Sequence, residues 1–251
     1  MVFGSYADHY DLFYRSKDYK HECDFLEEIF KRYSSRRVRT VLDLGCGTAN
    51  HALALCRRGY ALSGVDASGR MLDIARRKMA EAGFCCDLTR AKLQDFSIGR
   101  RFDAAICMFS VIDYLIRDAD LSRMLFNTAL HLKKGGLFVL DFWYAKAVLG
   151  FTPRKTKVFK GGGISVERTS RTELLKGTRT CAVHYTCLVR KGRSAVEKIE
   201  ETHRMRYFDI EEMEGLLDSH GFKMLAAGPF LNINGKIRAN TWDAACVARR
   251  T

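Results

Sequence analysis

Residues 41–48 read VLDLGCGT and carry the strongest fold signal in the chain. A short apolar run in this stretch is followed at once by Gly45 and Gly47. A buried strand that turns through glycines into a helix is typical of the first half of a βαβ unit. Because ligands of open parallel sheets bind beyond the carboxyl ends of the strands, the loop from Asp43 to Ala49 is the predicted ligand site.

The same pattern continues on both sides of this loop. Apolar, strand-like segments alternate with segments of helical period; the strands are expected near 60–65, 87–92, 102–109 and 137–142, and the helices near 18–33, 47–59, 68–83 and 120–132. A further helix at 209–221 and strands at 223–227 and 243–249 follow later. This alternation predicts an α/β fold with a doubly wound, mainly parallel sheet that helices cover on both faces.

Residues 155–206 interrupt the alternation. They show no helical period, and glycine-containing turns separate several strand-like stretches. We predict an inserted antiparallel β meander. The expected organisation is one domain over 1–251, divided into an N-terminal helical lid (1–36), a cofactor-binding α/β core (37–149), an insert for substrate or dimerisation (150–207) and a C-terminal part of the core (208–251).

Positive charge is concentrated in the insert. The chain of 251 residues has a formal net charge of +13, and residues 151–207 hold 14 Lys and Arg against 5 Asp and Glu, net +9. Such a segment is typical of a solvated basic face, of a site for an anionic small substrate or of a nucleic-acid contact. At 47% hydrophobic residues the chain can bury a sizeable core, so composition argues against disorder.

The sequence does not suggest a membrane protein. Nowhere do about 18 apolar residues run together, and the first residues lack a basic stretch followed by an apolar one. We therefore expect a cytoplasmic protein without a membrane span.

The nine cysteines are scattered and odd in number, which is typical of reduced core residues. Cys181, His184 and Cys187 have the spacing of metal ligands. Their neighbours predict a strand, however, on which the two cysteines share one face and the histidine points to the other. Because the ligands of one ion have to converge, we predict no metal site.

Two acidic residues favour a particular kind of cofactor. The pattern G-x-G-x-x-G of dinucleotide sites is incomplete, since Asn50 stands at its last glycine. Asp43 would repel a pyrophosphate but attract an ammonium or a sulfonium. Asp66 lies 23 residues later at the end of the second strand, where a carboxylate accepts hydrogen bonds from ribose hydroxyls.

Residues 41–48 and 64–68, followed by Met71-Leu72, resemble the first two motifs of class I S-adenosylmethionine-dependent methyltransferases, and the likeness covers about residues 38–142. The resemblance implies a Rossmann-like fold and S-adenosylmethionine as cofactor. It also implies that the methionine half is bound by Asp43, Gly45, Cys46 and Gly47, the ribose by Asp66, and the adenine by Ala67 and Met71. Ala49 departs from the family, where a third glycine is common, and we expect this change to be mild.

The third motif, at residues 90–96, matches less well. Lys92 stands where the family often has an acidic residue for the adenine amino group. Leu93 and Gln94 could bind the adenine amino group instead, through backbone or amide groups. The alternative is an edge strand on which Leu93 and Phe96 pack inward.

Segments outside the first two motifs add a more distant resemblance. The tyrosine-rich segments 6–14 and 17–19, together with 108–115 and 141–143, are similar to small-molecule N-methyltransferases that dimethylate nucleotide-linked amino sugars. The resemblance implies Tyr10 and Tyr114 as catalytic residues near the reacting amine. It implies Tyr19 and Met108 for the cofactor. Aromatic packing of the lid is the alternative.

The predicted reaction is N-methylation of a small amine or amino sugar by direct in-line transfer, in which positioning supplies much of the rate. An amine that binds unprotonated needs no strong base, and no His/Asp pair stands at a recognisable position, with His131 in a helix and His203 in the insert. One alternative is an RNA methyltransferase that uses the basic insert, although the Asn/Asp-Pro-Pro-aromatic signature is missing after the fourth strand. Another is a non-catalytic cofactor-binding protein. A homodimer contact through the insert is compatible with either enzyme.

Overall fold

The computed structural model describes residues 4–152, 154–192 and 196–251. Residues 1–3 of the predicted lid, and Pro153 and 193–195 of the predicted insert, lie outside this part. Its strands are β1 (Thr40–Leu44), β2 (Ala61–Asp66), β3 (Asp87–Arg90), β4 (Phe102–Cys107), β5 (Leu132–Trp143), β6 (Arg154–Gly161), β7 (Ile164–Leu175), β8 (Thr180–Lys191), β9 (Glu197–Arg206), β10 (Phe222–Pro229) and β11 (Asp243–Arg250).

The helices follow the predicted alternation. They are α1 (Tyr10–Phe13), α2 (Tyr19–Tyr33), α3 (Asn50–Cys56), α4 (Gly69–Glu81), α5 (Asp118–His131), α6 (Ala145–Gly150) and α7 (Ile210–Asp218), with 3-10 helices at Ser5–His9 and Ile112–Tyr114. Side-chain caps begin two of them, since Asp18 accepts a hydrogen bond from the backbone N–H of His21 and Ser68 one from that of Met71. A capping box of Asp209 and Glu212 begins α7.

The larger sheet has seven strands in the order β10-β11-β5-β4-β1-β2-β3. The pairs β3-β2, β2-β1, β1-β4 and β4-β5 are parallel, whereas β11 runs antiparallel to both β5 and β10. Every residue of β4 is buried, as expected for a central strand covered on both faces. The predicted α/β class with a doubly wound, mainly parallel sheet is confirmed.

The insert forms a separate four-stranded antiparallel sheet in the order β6-β7-β8-β9, which confirms the predicted meander. On β8, Cys181 and Cys187 are buried, while the His184 ring lies 3.0 Å from Thr202 Oγ1 on the more exposed face. Among the described residues, no group of three or more His, Cys, Asp or Glu side chains could hold a metal ion. Within the same residues, no helix combines the length and the apolar character that a membrane crossing requires.

The N-terminal segment joins the insert to the core. Tyr6 and Phe13 pack against Val166 and Cys187 of the insert, with ring centroids of Tyr6 and Phe13 4.8 Å apart. Apolar contact of this kind holds the smaller sheet over the carboxyl edge of the larger one. The site therefore lies between three parts of the chain that are distant in sequence.

Candidate active site

A cavity of about 920 Å³ lies at the carboxyl ends of the parallel strands, between the larger sheet, the N-terminal segment and the insert. This volume is at the upper end of the usual range for small-molecule sites. All predicted site residues except Asp43 line it: Tyr10, Tyr19, Gly45, Cys46, Gly47, Asp66, Ala67, Met71, Leu93, Gln94, Met108 and Tyr114. The structure therefore brings together what the sequence placed in six separate segments.

The two glycines of the loop are required for different reasons. Gly45 has a φ of +75°, and a Cβ atom added there would lie 2.3 Å from Cγ1 of Val111. Gly47 has a φ of +52°, but an added Cβ atom would meet open space on the cavity side. Gly45 thus allows close packing against Val111, whereas Gly47 allows a left-handed turn and places no side chain on the cavity wall.

The conformation of Ala49 bears on the expectation that alanine in place of a third glycine is a mild change. Ala49 has a φ of 62° in the left-handed region, and its side chain is fully buried at the start of α3. A residue with a Cβ atom pays about 1 to 2 kcal/mol for this conformation. The missing third glycine is therefore a source of backbone strain and not only an added methyl group.

Asp66 ties two loops together at the end of β2. Its carboxylate accepts hydrogen bonds from the backbone N–H of Gly47 at 2.9 Å and of Ser68 at 2.8 Å. Burial raises the pKa of Asp66, and these two hydrogen bonds oppose the rise. Because the side chain also lines the cavity, it is preset to accept further hydrogen bonds there.

Asp43 was predicted to bind the cofactor, but its side chain does not line the cavity. It lies within β1, is buried, and is outside the cavity wall. Burial raises its pKa to about 6, and nearby His51 opposes this rise. Its Oδ2 atom has no hydrogen-bond partner among the described residues. An orphaned buried oxygen beside the loop suits a bound donor, such as a water or a cationic group, so these residues fit a ribose-bearing, positively charged cofactor.

The N-terminal segment is fastened to the cofactor loop. Asp11 Oδ1 accepts hydrogen bonds from Thr48 Oγ1 at 2.7 Å and Asn50 Nδ2 at 3.1 Å, and Lys78 Nζ lies 2.7 Å from Asp11 Oδ2. Lys78 and the two hydrogen bonds lower the pKa of Asp11 against the effect of burial. Tyr19 adds a contact, because its hydroxyl lies 3.1 Å from the same Asn50 amide.

Aromatic side chains make up the other end of the cavity. Tyr10 and Tyr114 lie there with Tyr185, Trp143 and Trp242. Burial raises the pKa of Tyr10 and of Tyr114 well above the ordinary value, so both remain protonated phenols. The two tryptophan rings pack edge to face with centroids 5.2 Å apart. This end offers apolar surface and neutral hydroxyls to a ligand.

The backbone after β4 is held in an unusual shape. Phe109 and Ser110 both have positive φ, 71° and 56°. The Ser110 N–H donates to Asp141 Oδ2 at 3.0 Å, and burial raises the pKa of Asp141 to about 8. Strained residues of this kind are often concentrated at ligand sites, and here they turn Met108 and Phe109 into the cavity wall.

Comparison with known proteins identifies the family. A family model described as "Methyltransferase domain" matches residues 41–136. A dTDP-3-amino-3,6-dideoxy-alpha-D-glucopyranose N,N-dimethyltransferase of Streptomyces fradiae is 32% identical over 232 residues, which cover 90% of this chain and 88% of that protein. This chain belongs to the S-adenosylmethionine-dependent methyltransferases. The predicted enzyme class and the predicted cofactor, S-adenosylmethionine, are thereby confirmed.

Solved structures agree with this assignment of the methyltransferase. The sugar N-methyltransferase KedS8 from Streptoalloteichus sp. ATCC 53650 has 26% identity and a TM-score of 0.81, covering 96% of this chain and 93% of that one. An S-adenosylmethionine-dependent methyltransferase from Clostridium acetobutylicum ATCC 824 has a TM-score of 0.84 at 23% identity, covering 100% and 99%. The second likeness establishes the fold, which the whole described chain shares.

Residues 91–96 of the third motif of the methyltransferase lie after the end of strand β3, so Leu93 and Phe96 are not on an edge strand as the alternative predicted. Leu93 and Gln94 line the cavity, as does Lys92. Leu93 also packs in the core with Phe96, just beyond the end of edge strand β3. The backbone carbonyl of Gln94 accepts a hydrogen bond from Asn127 Nδ2 at 2.8 Å, which fixes this part of the wall.

Several residues of the methyltransferase site were not found from the sequence. His51 lines the cavity, and its Nε2 lies 2.6 Å from Oε2 of buried Glu22. His203 lines the other end, 2.7 Å from the Tyr114 hydroxyl and 3.1 Å from Glu201. His51 follows the loop directly and could have been suspected. His203 carried no signal, because it is 89 residues from Tyr114 in the chain.

Proposed function

We propose that this methyltransferase transfers methyl groups to the amino nitrogen of a nucleotide-linked amino sugar. The Streptomyces fradiae relative is named for N,N-dimethylation of such a compound, and KedS8 is described as a sugar N-methyltransferase. The names of these relatives do not say which residues of this chain would bind the phosphates of such a compound. The observation that carries the proposal is a second, cationic cavity beside the first.

The second cavity has a volume of about 460 Å³ and shares Tyr14 and Phe109 with the first. Lys157 and Arg168 of the insert line it. Arg168 donates a hydrogen bond to the Tyr6 hydroxyl at 2.7 Å, and among the described residues it has no carboxylate within ion-pair distance. A partly buried guanidinium with no carboxylate partner among the described residues is suited to a phosphate, which it can bind with paired N–H groups.

Aromatic rings hold this guanidinium in place. Its carbon lies 4.9 Å from the ring centroid of Phe13, 4.9 Å from that of Phe159 and 5.6 Å from that of Tyr185. Cation–π contacts fix the side chain without neutralising it. A sugar nucleotide could thus place its phosphates beside Arg168 and its amino sugar in the aromatic end of the larger cavity.

The cofactor roles belong to the same proposal. Asp66 would bind the ribose hydroxyls, Ala67 and Met71 would flank the adenine, and Leu93 with Gln94 would border it. The methionine half would lie against Tyr19, Met108 and the loop of Gly45, Cys46 and Gly47, with Asp43 acting through the orphaned oxygen. When bound, S-adenosylmethionine supplies an electrophilic methyl group on a sulfonium.

The chain's own contribution is positioning. Tyr10 and Tyr114 would orient the acceptor amine through their hydroxyls, because burial keeps both phenols uncharged. Trp143 and Trp242 would exclude water from this end of the cavity. Proximity of this kind can supply about 7 to 11 kcal/mol of the barrier.

A radiolabelled methyl-transfer assay tests the proposal with three acceptors: a dTDP-linked amino sugar, the same amino sugar without its nucleotide, and total transfer RNA. We expect transfer to the nucleotide-linked compound with a kcat/KM at least about 10-fold above that of the free sugar, as one phosphate-guanidinium contact warrants. Transfer of the labelled methyl group to RNA, or an equal kcat/KM for the two sugars, would overturn the proposed function. The homodimer contact, the domain limits and the cytoplasmic location stay predictions.

A further inference from the structure

Three side chains form a hydrogen-bonded row at the acceptor end of the cavity. The Tyr114 hydroxyl lies 2.7 Å from His203 Nδ1, and His203 Nε2 lies 3.1 Å from Glu201 Oε2. An ionised carboxylate only accepts hydrogen bonds, so His203 Nε2 carries the proton and Nδ1 accepts from the phenol. Both hydrogen bonds therefore point the same way: the Tyr114 hydroxyl donates to His203 Nδ1, and His203 Nε2 donates to Glu201.

The surroundings keep the imidazole ready to accept a proton. His203 is 2% exposed, and burial lowers its pKa below the ordinary value, while Glu201 partly opposes this. The rings of Tyr6 and Tyr185 pack against it with centroids 5.8 Å and 4.9 Å away. Among the described residues, the titratable groups that act on the row include Tyr6, Tyr10, Tyr14, Tyr185 and Glu201. Asp113 acts on Tyr114, and Arg168 acts on Tyr6 and Tyr185.

An alkyl amine needs such help near neutral pH. On a sugar ring the neighbouring oxygens lower the pKa of this ammonium below that of lysine, but the ammonium is still the main form near neutral pH. The ammonium nitrogen has no lone pair for the methyl group. A group that removes the proton inside the cavity therefore raises the rate, and positioned bases typically contribute about 10²- to 10⁴-fold.

We propose that Tyr114, His203 and Glu201 form a proton relay that deprotonates the acceptor ammonium before methyl transfer. An N–H bond of the ammonium breaks as its proton passes to the Tyr114 oxygen, and the phenol's own proton passes to His203 Nδ1. The lone pair left on nitrogen becomes the nucleophile. The imidazolium is stabilised by Glu201 until the product leaves and solvent takes up the proton.

In this relay Tyr114 is the catalytic residue, and His203 and Glu201 are positioning residues that act through it. Glu201 is itself held, since its Oε1 accepts a hydrogen bond from the backbone N–H of Gly4 at 3.0 Å. The inference rests on the proposed function, because the relay is argued for an acceptor amine that arrives as its ammonium form.

The test measures kcat and KM from pH 6 to 10 for the wild type, His203→Gln and the control His184→Gln. His184 lies on the neighbouring strand β8 and does not line the cavity. At pH 7 we expect His203→Gln to lower kcat about 100-fold with little change in KM. Above pH 9 the gap should close to about 3-fold, because free amine then binds directly. The control should follow the wild type throughout.

A loss for His203→Gln that is equal at every pH, or a kcat at pH 7 within about 3-fold of wild type, would overturn the relay. Calorimetric cofactor binding and Tm show that the variant is folded. If it is not, Glu201→Gln replaces it: this change keeps a hydrogen-bond acceptor but removes the charge, so the acidic limb of kcat should move to lower pH. An unmoved limb would also overturn the relay.

The wild-type protein separates the two proposals in the same experiment. If it methylates no amino sugar at any pH, the proposed function fails, and the relay fails with it. If it methylates the amino sugar while the variants keep the wild-type pH profile, only the relay fails.

Discussion

The cofactor end and the acceptor end of the cavity are built in opposite ways. The cofactor end uses a loop and a strand end close in sequence, Gly45 to Gly47 and Asp66, which are joined directly by the hydrogen bond from the Gly47 N–H to the Asp66 carboxylate. The acceptor end combines Tyr10, Tyr114 and His203 from three distant segments. The first end is therefore a property of the α/β sheet, whereas the second exists only when the insert and the N-terminal segment dock on it.

The N-terminal segment couples these two ends. Asp11 binds the cofactor loop through Thr48, while Tyr6 binds Arg168 of the insert. The same few residues thus touch both halves of the site. Substitutions that act on one end and spare the other are the way to test how independent the halves are.

The largest effect is expected from Gly45→Ala, compared with Gly47→Ala. Gly45→Ala should lower the free energy of unfolding by about 3 kcal/mol or more, because the new methyl group would overlap Val111 at a positive φ. Gly47→Ala meets open space and should cost about 1 kcal/mol, mainly from its left-handed backbone. Urea unfolding measures both. Equal losses would mean that the Val111 contact does not constrain the loop.

Asp66→Ala should weaken S-adenosylmethionine binding by about 100-fold, since hydrogen bonds to a charged group contribute about 1.5 to 3 kcal/mol. Asp73→Ala is the matched control, because Asp73 lies on the following helix α4 and is largely exposed. Isothermal titration calorimetry gives both Kd values. A Kd of Asp66→Ala equal to that of the control would remove Asp66 from the cofactor site.

At the other end, Arg168→Gln should raise KM for a nucleotide-linked acceptor about 10-fold and leave cofactor Kd unchanged, because one charged contact to phosphate is lost. Arg171→Gln on the same strand is the control, since Arg171 is more than half exposed and pairs with Glu173. Steady-state kinetics with saturating cofactor make the comparison. If cofactor Kd changed as much as KM, the two ends would not be separable.

The smallest effect is expected from Ala49→Gly. Relief of left-handed strain, about 1 to 2 kcal/mol, opposes the loss of a buried methyl group, about 0.8 kcal/mol, and the added chain entropy. The net change should stay below about 1 kcal/mol. Ala52→Gly, inside the helix α3 that follows and equally buried, has no left-handed strain to relieve and should cost clearly more. Unfolding curves that coincide for the two variants would contradict the strain at Ala49.

Prediction from sequence succeeded where the signal is local. The glycine loop, the alternation of strands and helices and the glycine-separated meander are each written in a short window, because period and turn chemistry act over a few residues. Even in these regions the structure differs from the prediction at two residues. Asp43 lies inside β1 and not on the cavity wall, and Ala49 carries strain that spacing does not reveal.

Local patterns were enough to predict the α/β class, the cofactor loop and Asp66 at the end of the second strand, since each is written along one stretch of chain. Two contacts appear only in the folded chain: His203 meets Tyr114 across 89 residues, and Arg168 lies among aromatic rings with no carboxylate partner in the part of the chain that the structure describes. Such contacts depend on how the smaller sheet docks on the larger one. Docking is set by the packing of many side chains at once, which no single motif records.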